Sequence, residues 1–586
     1  MGLAFTIDSP IRVAHLGISS VISIMDDDLM EKMNAHYSRI FNLPYREITH
    51  KTKDCRATRI TSYLNLVNAI VTLKFAEFKA RLTESKTAVA DFVTMLPKKS
   101  EVRSGLENLL GDSHFAAEKV RAFCEKHLRP GEIDVNIMTK VDRENFEKNN
   151  PLPVEMNDAH AALRGFANSA LSSSVVLSAG MNPRLYGYFE IFPDFFPDEN
   201  FLLKKRITIK VSDFRSAMIQ GNFLAKKGLW VSEFRIESGL NCGGHAFATD
   251  GLLMGPILEE FKQKKDNLIS GMHELVCKAL AQKNLPVPNA PMAVKITVQG
   301  GVGTAEEHDF LLSHYNTDSV GWGSPFLLVP EATSVDDATR QLLAGAREND
   351  LYTSNLSPLG VPFNTVRGTT SEIVRRKRVE SEKPGSPCPK KYLALNTEYG
   401  NEGICTASRK YQQIKLNELN SETLPPEEYN ARKDAITEKA CLCVGLANAS
   451  LLENGIKIKG DQSVIICPGP NIAYFDRQYS LREMIGHIYG GYSLVENSRP
   501  NLFIKELSLY VKHLRTEINA DSLATSSKKI EKLKENLLSG VRYYKDLFTS
   551  AASFRNNLEG NLRALDAIEA ELLAVSLRES TAAVFA

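Results

Sequence analysis

The chain has 586 residues, 71 of them basic and 70 acidic, for a formal net charge of +1. A balance so close to zero leaves no electrostatic footprint for nucleic acid or an anionic membrane as the main partner. The length exceeds that of a usual single domain, so one elaborated domain or several smaller ones are expected.

Near the start, "VAHLGISSVISIM" is apolar, but Asp8 precedes it, Arg12 is the only base before it, and Asp26, Asp27 and Asp28 follow. A buried strand fits that context better than a signal peptide. "RVAHLG" reads as the first strand, with His15 at its end facing either the mouth of the sheet or the core, and "SVISIM" reads as a further candidate strand. Residues 29–128 look helical throughout, "YLNLVNAIVTLKFAEFKARL" being the most apolar piece. No segment reaches the roughly 18 uncharged apolar residues of a membrane span, so no membrane association is expected.

Between residues 130 and 330, β-rich runs alternate with helix-like segments: "IDVNIMTK", "SSVVLSAG", "RITIKVS", "WVSEFRI", "VKITVQGG" and "SVGWGSPFLLV". Their nearly continuous apolar character suits parallel strands buried on both faces, and the alternation is that of βα units. With the N-terminal candidates there are seven or eight strands, which predicts an α/β fold of the (β/α)8 TIM barrel type with a large helical insertion and an α-helical C-terminal extension. A doubly wound open sheet would read similarly.

After residue 330 the sequence becomes irregular, with turns such as "SPLGVPFN" and "KPGSPCPKK" and a basic run, Arg375, Arg376, Lys377 and Arg378, that reads as a solvated loop face. From about residue 500 helical periodicity returns. Phe503, Leu507, Tyr510, Leu514 and Ile518 share one face; Ile530, Leu533, Leu537, Val541, Tyr544 and Phe548 share another; Leu558, Leu562, Leu565, Ile568 and Leu572 a third. These three amphipathic helices predict a packing module, either a cap on this chain or a homo-oligomer interface. The expected organisation is therefore a barrel over 1–335 with its insertion at 29–128, a cysteine-bearing extension over 336–499, and a helical module over 500–586.

Three strand ends carry glycines together: "GLNCGGH" ending in Gly243, Gly244 and His245; "VQGGVGT" with Gly300, Gly301 and Gly303; and "VGWGSPF" with Gly321 and Gly323. In a parallel barrel such ends lie side by side on the C-terminal face, where the last two strands commonly form a phosphate site. Backbone N–H groups there meet a phosphate without interference from side chains. A phosphorylated cofactor is expected.

The order strand, "GLNCGGH", strand, "GGV", strand, "GSPF" resembles the flavin mononucleotide barrels of the nitronate monooxygenase (2-nitropropane dioxygenase) family and their relatives, the flavin-dependent enoyl reductases. "VNIM", Val135 to Met138, is similar to the family strand whose Asn contacts the flavin. The resemblance covers roughly residues 130 to 330. It implies FMN as cofactor, with Asn136 and Lys210 at the isoalloxazine ring, Gly243 and Gly244 lying against the flavin, and Gly300, Gly301, Gly323 and Ser324 at the phosphate. His245 is the implied catalytic residue, and the substrate a small molecule or acyl group with O2 or NAD(P)H as co-substrate. The chain departs from the family in carrying Asn241 and Cys242 before the Gly-Gly-His, and Gly-Ser-Pro-Phe where Gly-Thr-Arg-Phe is usual.

Nine cysteines, an odd number without a secretory signal, argue for reduced thiols, a metal site or both, and for a cytoplasmic setting. Cys388, Cys405, Cys441, Cys443 and Cys467 fall within 80 residues, in segments rich in turns. Thiolates from such segments can converge on an iron-sulfur cluster or zinc, although Cys-x-Cys with distant partners lacks the paired Cys-x2-Cys spacing of the common sites; ordinary core thiols are the alternative. No nucleophile elbow, Walker loop or zincin motif is present. Two functions stay open, an FMN-dependent oxidoreductase and a non-catalytic barrel that binds a protein partner.

Overall fold

The computed structural model describes residues 4–111, 115–139, 141–387, 389–496, 498–520 and 527–575. Seven parallel strands lie side by side in chain order: β1 (Ser20–Ser23), β2 (Ile133–Ile137), β3 (Ser173–Leu177), β4 (Lys205–Val211), β5 (Val231–Glu237), β6 (Lys295–Gln299) and β7 (Ser319–Gly321). An eighth sheet strand, which would close a barrel between β1 and β7, is not among the described residues. The result is an α/β fold with a curled half-barrel at its centre.

Side chains alternate along these strands, as the two-residue period requires. Val135, Ile137, Val175, Leu177, Ile207, Ile209, Phe234, Ile236, Ile296 and Val298 pack outward into the main core. The other parity is polar: Asp134 and Asn136 on β2, Thr208 and Lys210 on β4, Glu233, Arg235 and Glu237 on β5, Thr297 and Gln299 on β6. The expectation of strands apolar on both faces is thus corrected. The concave face is lined by charge, and its charges compensate one another. Arg235 donates to Glu233 at 2.8 Å, and Glu233 also accepts from Thr208 and Thr297. Arg235 reaches Asp134 at 3.6 Å although two strands separate β2 from β5. In a flat sheet those strands would stand about 14 Å apart, three spacings of roughly 4.8 Å, so the ion pair requires the sheet to curl.

Two of the expected strands differ. "RVAHLG" is helical, spanning Ser9–Val13 and Ala14–Leu16. Pro10 suits the first helical turn, and Gly17 closes the segment in the left-handed region at φ 85°. His15 consequently packs edge-on against Phe78 of the helical insertion, away from any strand end. "SVGWGSPFLLV" is a strand only through Gly321, after which Ser324–Leu328 forms a 3-10 turn, because Pro325 has no N–H for a ladder.

Among the described residues, five helices run between β1 and β2: Asp27–Ile40, Cys55–Glu84, Lys86–Thr94, Glu101–Gly111 and Ala117–His127. The long helix lays Ile60, Leu64, Val67 and Ile70 into the main core, and its far end joins a small separate core with Val89, Phe92, Leu106 and Val120. After β7 the chain builds a second core from Leu327, Leu328, Phe363, Leu393, Ile465, Ile466, Phe475 and Met484, which also takes in Phe5 and Val13. This half includes an antiparallel hairpin, β8 (Leu351–Ser354) with β9 (Phe363–Val366). The basic run lies on a helix, Thr370–Glu380, rather than a loop, and Arg378 pairs with Asp461 at 2.8 Å.

The C-terminal helices Leu502–Ala520, Ser527–Ser550 and Leu558–Ala574 bury Leu507, Tyr510, Leu514, Leu537, Val541, Tyr544 and Phe548 in the same core as the outer face of the sheet. The faces read as a packing module are therefore filled by this chain itself. No single helix among the described residues is long and apolar enough to cross a membrane.

Candidate functional site

The C-terminal ends of the strands gather a polar rim. Asn136, buried, ends the concave row of β2. Lys210 on β4 pairs with Glu237 on β5 at 3.3 Å, and Gln299 on β6 donates to the same carboxylate at 2.7 Å. Burial pushes the Glu237 carboxyl up, but the Lys210 ammonium and the Gln299 amide outweigh it and hold the group below its ordinary value. Glu237 and Gln299 escaped the motif reading. The period-two alternation with Glu233 and Arg235 is the signal that would have found them.

From this rim β6 runs into Gly300 and Gly301 at φ 117° and 81°. Both need glycine for space as well as conformation. A Cβ on Gly300 would lie 2.8 Å from the Cys242 sulfur, and one on Gly301 would lie 2.0 Å from the Asn241 amide nitrogen. β7 likewise runs into Gly323 and Ser324. Among the described residues, the amides of Gly301, Gly323 and Ser324 make no loop or turn hydrogen bond, while Gly300 follows the last ladder pair, Gln299 with Gly321. Beneath them Asn241, 2% exposed, has neither side-chain amide atom hydrogen-bonded. Gly301 and Gly323 are half-buried, so water reaches their amides; the Asn241 amide is buried and unpaired, and buried polar groups are rarely left so. This donor set suits a phosphate.

The arginine absent from "GSPF" is not replaced on that loop, but Arg499 reaches the neighbouring one. It donates to Gly301 O at 2.7 Å and to Asn471 at 2.8 Å, and pairs with Glu307 at 2.7 Å, while Glu307 accepts from Gly303 N at 2.9 Å. The loop after β6 is thereby clamped from behind by a buried ion pair.

Gly243 and Gly244 lie against backbone of the same chain. A Cβ on Gly243 would lie 2.6 Å from Cys467 O, and Gly244 N donates to that same carbonyl at 3.1 Å. The space beside Gly243 is taken by the chain's own 467–469 segment. On the other side, Gly244 O and Ala246 N bond to Asn364 N and Pro362 O of the hairpin.

His245 projects from this clamped loop. Its Nε2 lies 2.8 Å from Ser357 Oγ, and its ring meets Phe363 edge-on at 5.0 Å. Burial pulls its pKa down to about 4, so the imidazole is neutral at pH 7. It opens into a mostly apolar cavity of about 80 Å³, bounded by Met25 and Met138 beyond β1 and β2 and by Tyr392, Leu442 and Cys443 of the second core.

Of the cysteines, Cys388 lies outside the described residues. Cys405, Cys441 and Cys467 are buried and Cys443 is half-buried. Among the described residues no three His, Cys, Asp or Glu side chains form a set that would hold a single metal ion.

No family model matches the chain, and no curated protein matches it. Among solved structures, it is similar to the enoyl reductase domain of MlnA from the macrolactin biosynthesis cluster from Bacillus amyloliquefaciens, at 13% identity over 79% of this chain and 94% of that one, with a TM-score of 0.29. Similarity of that size decides neither fold nor activity.

Proposed function

We propose that the chain is an FMN-dependent oxidoreductase acting at the C-terminal face of its parallel sheet, and that its half-barrel is a relative of the nitronate monooxygenase and enoyl reductase barrels. The observation that carries this reading is the buried, unpaired Asn241 side-chain amide beside the glycine loop, with the Gly301, Gly323 and Ser324 amides making no loop or turn hydrogen bond among the described residues. These groups would hold the phosphate, with Asn136 and Lys210 placed on the rim for the ring. A bound flavin supplies the two-electron chemistry.

The chain's own residues bind and orient. A neutral His245, shared with Ser357, is a hydrogen-bond partner for a substrate oxygen rather than a cation for an anionic one. The apolar lining of the adjacent cavity suits a hydrocarbon group. Both features favour reduction of an unsaturated acyl substrate by NAD(P)H over oxidation of a small nitronate anion by O2.

The absorption spectrum of the purified protein, with released flavin quantified, tests the reading. A yellow protein carrying FMN is expected, and Gly301→Val, which drives a side chain into Asn241, should lose the flavin while keeping the far-ultraviolet circular dichroism. A colourless protein that does not take up added FMN would overturn the enzyme and leave the barrel as a scaffold.

A further inference from the structure

The cavity beside His245 begins at the rim of the sheet. Ile22 packs into the main core, so Ser23, the last residue of β1, takes the concave parity and pairs in register with Asn136 of β2. Ser23 borders the cavity and is 8% exposed, yet its hydroxyl makes no hydrogen bond among the described residues. Buried hydroxyls normally find a partner, so one that opens into a cavity unpaired points to a ligand there. His245 borders the same cavity. Its Nε2 is taken by Ser357 Oγ, and its Nδ1 makes no hydrogen bond among the described residues. Ser357 Oγ already accepts from Leu359 N at 3.3 Å, which leaves its O–H to donate to Nε2 and places the ring proton on Nδ1. Two donors therefore share a cavity without an acceptor.

The rest of the wall is mostly apolar, with Met25, Leu29, Met138, Phe363, Leu442 and Leu446. Among the described residues that border it, Asp26 is the only carboxylate, and there is no lysine or arginine. The nearby Lys390 ammonium is ion-paired with Asp26, which also accepts from Tyr392 Oη at 3.3 Å. A ligand carboxylate would thus be desolvated facing another carboxylate, with no cation left for it. The volume sets the size. At about 80 Å³ it is about half of the roughly 150 Å³ that holds benzene, room for a tail of about three or four carbons.

We propose that this cavity is the chain pocket for a short, uncharged acyl group of about four carbons, its carbonyl oxygen accepting from Ser23 and His245 and its length limited by Leu446. The proposal rests on the acyl reading above for the reaction, while the binding itself needs no flavin. Leu446 stands one turn after Leu442 on the helix Leu442–Glu453, and its wall neighbours Ala4 and Ala447 are small. Leu442 is buried in the second core, whereas Leu446 is half-buried, so its branched end can be removed without opening that core.

The experiment measures binding of butyramide, hexanamide, octanamide and butyrate to the full chain by ligand-observed nuclear magnetic resonance, with FMN quantified in the same sample. Each added methylene would tighten binding by hydrophobicity alone, so a length cut-off is the signature of the wall. Butyramide should bind about tenfold or more tightly than butyrate, which carries a charge, and than octanamide, which overfills the pocket. Ser23→Ala should weaken butyramide by about two- to tenfold, the worth of one hydrogen bond, and leave the order of lengths unchanged. Leu446→Ala should shift the preference to hexanamide. Octanamide or butyrate binding as tightly as butyramide, or no amide binding at all, would overturn the pocket even in a protein that carries FMN. Unchanged butyramide affinity in Ser23→Ala, or an unchanged preference in Leu446→Ala, would overturn the role given to that residue. The length cut-off in a protein that takes up no FMN would support the pocket and remove only the flavin reading.

Discussion

His245 is held by backbone on both sides and shares its Nε2 with Ser357, in surroundings that pull its pKa from 6.5 to about 4. Between those values the unfolded chain binds a proton that the folded chain refuses. Stability contributed by the neutral ring is therefore present above pH 6.5 and is lost as pH falls towards 4, by up to roughly 3 kcal/mol. His15 is shifted in the same way, and burial lowers His36, His308, His314, His487 and His513 as well, so the wild-type slope has several sources. The difference between wild type and His245→Gln isolates the contribution of His245. Thermal midpoints from pH 7 to 4 should fall less steeply in the variant, and parallel curves would remove the burial argument. His245 was legible because two glycines precede it. That those glycines fit against Cys467 was not, since the contact joins residues more than 200 positions apart.

At the scale of elements, the strands were readable and their inner faces were not. Runs such as "RITIKVS" contain enough β-branched residues to specify extended chain, whereas their polar positions gain partners only when the sheet curls, as Arg235 does with Asp134. The helix Leu502–Ala520 shows the same dependence. Its amphipathic face was plain, but Glu506 on it is buried and accepts from Ser238 Oγ and from Met254 N at 2.9 Å, joining the helix to the end of β5. Burial raises the Glu506 pKa from 4.5 to about 7 against those hydrogen bonds. The folded chain thus holds a proton that the unfolded chain releases, and stability falls as pH rises from 4.5 through 7, by up to roughly 3 kcal/mol. Glu506→Gln should abolish this slope. Urea midpoints for the two proteins should diverge in the variant's favour between pH 5 and 8, and a constant difference would show that Glu506 does not titrate there.

The whole molecule is tied by contacts between its ends. Leu507, Tyr510, Val541, Tyr544 and Phe548 share a core with the strands and the helical insertion, and Phe5 and Val13 share the second core with Phe363 and Cys467. Burying a large apolar side chain contributes about 1.5–3 kcal/mol, so losing this set exceeds the usual margin of stability. A chain ending at residue 500 should therefore be insoluble or lack a cooperative melt, and a soluble, cooperatively melting product would show that the helices are a separable module. Local sequence by itself determined the parallel strands with their glycine ends, the helical stretches, and the placement of a histidine after paired glycines, because propensity, period and backbone freedom are properties of neighbouring residues. Only the tertiary structure decided which glycines are covered by the chain's own backbone, and it alone brought Ser23 and His245 to one cavity. Those outcomes depend on contacts across hundreds of residues, and no local pattern encodes them.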